Sequence, residues 1–307
     1  MNSQKIIYCI GDSHADFFSG RNAISPEYPE TKKGDLPFFQ NFRLGPVLAY
    51  NLPETNTKTK GREKLFKILG EVNPKDVIIM LCFGEIDCRV HLIKQVRIKN
   101  ISFEESSLIC AERYFSVIKE VKDMGFEVIV WNAIPSSIYE NVDPEFPTFG
   151  TCKERNLITH IFNDKLKKMC EKNNIKFISI FDKILDKDGL TNMSFYMDKI
   201  HLSQKAMPLA LKELQKNLNG INFSIPPSVK LNLFILNMKT KSKKILKKID
   251  SKIYRMISGN PTIPPSYEIK RQIIEKYESQ FDAKIFIETG TYLGDTVFAL
   301  KDRKSVV

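Results

Sequence analysis

Four short apolar runs, spaced by stretches of helical periodicity, constrain this chain more than any other feature. Lys5 to Ile10 ends at Gly11, and Asp76 to Phe83 (DVIIMLCF) ends at Gly84. Phe126 to Trp131 (FEVIVW) runs toward Pro135, and Ile175 to Phe181 (IKFISIF) follows. Runs this continuous read as strands buried on both faces, the pattern of a parallel sheet covered by helices on either side. Between the second and third runs, Glu104 to Met124 places Leu108, Ala111, Phe115, Ile118 and Val121 on one helical face. Arg155 to Asn173 repeats the pattern, and Ser203 to Leu218 closes the series with Ser203 as its N-cap. One further strand is expected between Arg43 and Thr59. The alternation predicts a three-layer α/β/α domain over residues 1–222. In such a sheet the loops that carry function lie at the carboxyl ends of the strands.

Charge excludes one class of function for this domain. The chain's net charge is +11, but residues 224–276 hold twelve Lys/Arg against three Asp/Glu and so carry +9 of it. The N-terminal domain is close to neutral, which argues against nucleic acid as a partner. The basic stretch 229–258 has Ile245, Ile249, Ile253 and Met256 at helical spacing, with only Phe234 and Tyr254 as aromatics. Its first reading is a solvated helical linker, spanning 223–262. Its second is a helix lying on an anionic membrane surface.

The six cysteines form no CxxC pair and only four histidines are present. Free thiols in a reducing compartment are therefore expected, with Cys9 and Cys82 as small buried strand residues and no metal site. No apolar run reaches the roughly 18 residues of a membrane span. Met1 to Ile10 is too short, and too soon polar, for a signal peptide. A cytoplasmic protein is the expectation.

Two segments could do chemistry together. Gly11-Asp12-Ser13-His14 follows the first strand, where a turn into a helix would expose the serine hydroxyl and aim backbone N–H groups outward. Serine needs a base. Met197-Asp198-Lys199-Ile200-His201 precedes the last helix, and a carboxylate and an imidazole three residues apart in a turn can face the same way. Asp198 would fix the imidazole tautomer while His201 takes the proton of Ser13. His14 lies too close to its neighbour's hydroxyl to act as the base, and His91 and His160 read as structural or solvent-facing.

With these residues in view, the chain resembles the SGNH (GDSL-like) serine hydrolases over roughly residues 4–220. GDSH and DKIHLS are similar to the family's first and last motif blocks. Arg43-Leu44-Gly45-Pro46 resembles the block whose glycine N–H helps form the oxyanion hole, and Phe83-Gly84-Glu85-Ile86-Asp87 stands where the family carries GxND. The resemblance implies a flavodoxin-like fold and hydrolysis of an ester or amide through an acyl-serine intermediate, with no cofactor. Ser13, Asp198 and His201 would be its triad, and Gly45, Gly84, Glu85, Asp87, Arg89 and Asn132 its oxyanion and substrate-binding residues.

Ile86 departs from the family, whose asparagine donates to the oxyanion there; loss of such a donor costs about 2.7–4 kcal/mol. Either the N–H groups of Ser13 and Gly45 suffice, or another donor stands in, for which Arg89 and Asn132 are the candidates. The charged stretch GEIDCR also reads as a Glu–Arg ion pair bracing its loop. Three functions stay open: a serine esterase or deacylase acting on a small-molecule or glycan ester, an acyltransferase with the same triad, and a slow or silent binding module.

A second resemblance lies near the end of the chain. Phe286-Ile287-Glu288-Thr289-Gly290-Thr291-Tyr292-Leu293-Gly294 is similar to the first motif of class I S-adenosylmethionine methyltransferases. Glu288, Gly290 and Gly294 would be its cofactor-binding residues. With Val307 following so soon, 263–307 is expected to be a partial Rossmann-like fragment with no methyl transfer of its own.

Overall fold

The computed structural model describes residues 5–140, 147–218 and 220–224, together with the backbone of residues 285–286 and 305–306. The chain divides into two compact units, Met1–Leu233 and Phe234–Val307. In the second, strand Ile285–Phe286 pairs in parallel with Ser305–Val306. Glu288, Gly290, Gly294 and the basic stretch 229–258 lie outside the described residues.

The first unit is built on five parallel strands: β1 (Ile6–Gly11), β2 (Phe39–Arg43), β3 (Val77–Cys82), β4 (Glu127–Trp131) and β5 (Lys176–Ile178). Their order, β2-β1-β3-β4-β5, is that of flavodoxin-like folds. Helices α1 (Gly61–Gly70), α2 (Leu92–Lys99), α3 (Phe103–Asp123), α4 (Cys152–Lys172), α5 (Phe181–Ile184) and α6 (Met207–Asn217) alternate with them.

The two-residue repeat of a strand sorts the core into two layers. On β3, Val77, Ile79 and Leu81 pack with α1, α3 and α4 through Leu65, Tyr114, Ile118 and Phe162. Ile78, Met80 and Cys82 face the other way, onto Phe17, Phe18, Trp131 and the α6 residues Met207, Ala210 and Leu214. The sheet is thus covered on both faces, and its continuous apolar strands need no polar side. Ile79 and Leu81 are fully buried, and truncating either to alanine should cost about 2–5 kcal/mol. Capping sets where the long helices begin. Ser102 accepts from Glu105 N–H at the start of α3, and Thr151 and Glu154 form a capping box on α4.

Two expectations need correction. The strand sought between Arg43 and Thr59 is β2, which ends at Arg43. It pairs with β1 from Ile7↔Phe39 to Gly11↔Arg43. As an edge strand it carries polar residues, and its buried Asn41 donates its side-chain amide to Asp16 Oδ1 at 2.7 Å. The last strand stops at Ile178 instead of running to Phe181, because the Asn132 side chain takes the Ile180 N–H at 3.0 Å and turns the chain into α5. All six cysteines are free and buried. Among the described residues no helix is long and apolar enough to cross a membrane.

Candidate active site

The site forms at the carboxyl edge of β1 and β3. Beyond Gly11, the Asp12 side chain accepts the His14 N–H at 2.8 Å and starts a tight 3₁₀ turn over Ser13–Ser19. Ser13 opens that turn, with its hydroxyl free of the sheet. The segment before α6 is held by its own bonds: Met197 N–H donates to His201 O (2.9 Å) and Ser203 N–H to Phe195 O (2.7 Å). Gln204 joins the two segments, donating from its side chain to Phe17 O at 2.7 Å and from its backbone to Asn22 Oδ1 at 2.7 Å. Neither Gln204 nor Asn22 carries a signal in the sequence.

Within this frame Ser13 Oγ and His201 Nε2 are 2.8 Å apart, although 188 positions separate them. His201 Nδ1 meets Asp198 Oδ2 at 2.7 Å. Asp198 Oδ1 accepts the N–H groups of Ile200 (2.8 Å) and His201 (2.7 Å), which fixes the carboxylate by its own turn. Burial works to raise the Asp198 pKa, but these bonds to His201 and Ile200 outweigh it and hold it at about 2. Burial lowers the proton affinity of His201 below the usual histidine range, despite its bond to Asp198. A neutral imidazole beside a serine hydroxyl and backed by a carboxylate can accept the serine proton. Ser13 and His201 open on a shallow cleft whose walls include Phe17, Ala23, Ile24, Met197 and Leu202, with Arg21 and Asp16 as polar members.

The other expected residues divide. Gly45 has φ +97° and Gly84 φ +109°, a region that favours glycine. A Cβ on Gly45 would come within 2.7 Å of the Glu27 carboxyl group, and one on Gly84 within 2.7 Å of the Phe162 ring. The N–H groups of Ser13 and Gly45 meet no acceptor among the described residues. Asp87 is fully buried and accepts from Ala49 N–H (2.8 Å) and Tyr50 N–H (3.1 Å), so it ties the Gly45 loop to the end of β3. Burial, only partly offset by those bonds, raises the Asp87 pKa to about 6.

The bonds of Arg89 and Asn132 run to other parts of the fold. Arg89 Nε donates to Glu85 at 2.8 and 3.1 Å, and its Nη1 donates to Pro147 O. Asn132 donates its side-chain N–H to Ala133 O at 2.7 Å and its Oδ1 accepts the Ile180 N–H, bridging β4 to the chain beyond β5. Neither lines the cleft, and nor do Gly45, Gly84, Glu85 or Asp87. The Glu–Arg pair bracing the loop, one of the two readings of GEIDCR, is present and buried.

His14 was set aside as a base, and its surroundings were not legible in the sequence. It is buried, lines the cleft, and places Nε2 3.0 Å from Glu85 Oε2. Burial works to raise the Glu85 pKa, but Arg89 and His14 outweigh it and hold it at about 2. Asp12, buried and beside these groups, is raised to about 7, chiefly by burial.

No family profile and no curated protein matches the chain. It is similar in structure to a GDSL-like lipase from Bacteroides thetaiotaomicron VPI-5482, with 12% identity over 70% of this chain and 89% of that one and a TM-score of 0.40. It is similar to a phospholipase A1 from Streptomyces albidoflavus NA297, with 12% identity over 70% and 99% of the two chains and a TM-score of 0.42. It is also similar to a carbohydrate acetylesterase from Sinorhizobium meliloti, with 16% identity over 70% and 100% and a TM-score of 0.41.

Proposed function

We propose that residues 1–222 form a serine esterase or deacylase working through an acyl-serine intermediate. The observation that carries this reading is the unbroken line from Asp198 Oδ2 to His201 (2.7 Å) and from His201 Nε2 to Ser13 Oγ (2.8 Å). His201 Nε2 takes the Ser13 proton as Oγ bonds to the ester carbonyl carbon. The resulting oxyanion is met by the N–H groups of Ser13 and Gly45. Collapse breaks the bond to the leaving alkoxide, which receives the proton from His201. Water then repeats the sequence: His201 deprotonates it, hydroxide adds to the acyl carbon, and Ser13 leaves with the proton. Asp198 holds the ring orientation and balances the charge His201 gains. The likeness of the motif blocks to SGNH hydrolases supports an O-acylated small molecule or carbohydrate as substrate.

Turnover of p-nitrophenyl acetate by wild type and Ser13→Ala tests the proposal, followed by a panel of O-acetylated sugars. The expected result is a rate that falls by roughly 10³–10⁴-fold in the variant. No Ser13-dependent rate in a folded protein would overturn it. The second reading, a binding module that does not turn over, draws on one observation: Ile86 offers no side-chain donor while Arg89 and Asn132 are bonded elsewhere.

A further inference from the structure

The cleft holds two histidines. His14 follows Ser13 directly, and its ring centroid lies 5.1 Å from that of His201, with the planes tilted by 37°. Its Nε2 contacts the Glu85 carboxylate at 3.0 Å, and the same carboxylate accepts two bonds from Arg89 Nε. A Glu–Arg pair alone would balance its own charge. Here the Glu85 carboxylate faces both the Arg89 guanidinium and the His14 ring, which adds a second positive charge when it is protonated. The exposures of His14, Glu85 and Arg89 are 7%, 3% and 4%, so water does little to screen that charge.

We propose that His14 is a positioning residue: held as an imidazolium by Glu85, it keeps His201 in the neutral, proton-accepting form. Two imidazoliums at this spacing would repel each other by well more than thermal energy, even under the screening usual in proteins. Only one ring can therefore readily be charged, and the surrounding groups decide which. Facing His14 are Asp12 at the end of β1, and Glu85 and Arg89 beyond β3. His201 faces it from the segment before α6, with Asp198 behind that ring, and Asp16 and Arg21 line the same cleft. Burial opposes the charge on His14, but Glu85 and Asp12 outweigh it and raise its pKa. For His201 burial and the His14 charge act together, and Asp198 and Glu85 offset them only in part.

This role rests on the esterase reading for its consequence, but the charge on each ring is measurable without turnover. Imidazole NMR titration of the full chain resolves four histidines, assigned by single replacement. His14 should titrate above free histidine, and in Glu85→Gln it should titrate at lower pH. In His14→Gln, His201 should titrate at higher pH than in wild type. The acid limb of fluorophosphonate labelling at Ser13 should move with it, so that at about pH 6 labelling slows by roughly three- to tenfold. A His14 that titrates at or below the free value overturns the proposal, as does an unmoved His201 in folded His14→Gln. Should His14→Gln fail to fold, the wild-type and Glu85→Gln titrations of His14 decide. If wild-type Ser13 takes no label at any pH, the esterase reading falls, while the titrations still settle the charge on His14.

Discussion

The two sides of the cleft use ionisable groups in opposite ways. On the side of β1 and α6, Asp198 is 41% exposed and bonded mainly within its own turn, while His201 and Ser13 share one short contact. Charge there is free to move. On the side of β3, Glu85, Asp87 and Arg89 are almost wholly buried and bonded to loops far away in sequence, at Ala49, Tyr50 and Pro147. Charge there is locked. A proton-transfer line needs groups whose ionisation changes cheaply. A loop that carries an oxyanion donor needs groups whose positions do not change.

The contrast is broken most sharply at Asp198. Asp198→Asn keeps the turn but removes the charge that orients His201, and should lower the p-nitrophenyl acetate rate by roughly 10³–10⁴-fold. A thermal melt should move little, because this carboxylate is partly solvated. The reverse holds on the β3 side. Asp87→Ala leaves two backbone N–H groups of the Gly45 loop without their acceptor and should cost about 2–4 kcal/mol in denaturant unfolding.

Ile86→Asn sharpens the comparison between these two. It offers a side-chain amide at the boundary of the locked loop and should raise esterase turnover by up to ~10²-fold. An unchanged rate would mean that the N–H groups of Ser13 and Gly45 suffice.

Stability should also depend on pH. Asp12 and Asp87 have folded values of about 7 and about 6 against 3.8 unfolded, so the fold binds protons that the unfolded chain has released. Their contribution is complete below 3.8 and is lost as pH rises through 6 and 7. Asp198 and Glu85, both at about 2, act in the opposite sense and lose their contribution as pH falls toward 2. Unfolding free energy should therefore decline from pH ~5 to pH ~8, and Asp12→Asn should flatten that decline.

The same division governs what could be read in advance. β3 is legible because each of its residues is apolar, and GDSH and DxxH are legible because each is a local turn beside a strand or helix. The Glu85–Arg89 pair follows from an i, i+4 spacing. β2 was missed because an edge strand tolerates Gln40 and Asn41, whose partners lie elsewhere in the chain. The bonding partners of Arg89 and Asn132 are not legible because a polar side chain near a strand end shows its type but not its direction. The bridge from Asn132 to Ile180 exists only once β4 and β5 are side by side. The setting of His14 was hidden for the same reason, since Glu85 reaches it only across the pairing of β1 with β3.

The reactive line itself is tested most directly by fluorophosphonate labelling followed by peptide mass spectrometry. An activated serine should give a single phosphonate adduct on Ser13, absent from Ser13→Ala and strongly reduced in His201→Ala. An unlabelled Ser13 in folded protein, or labelling indifferent to His201, would contradict a catalytic role for the Ser13–His201–Asp198 line.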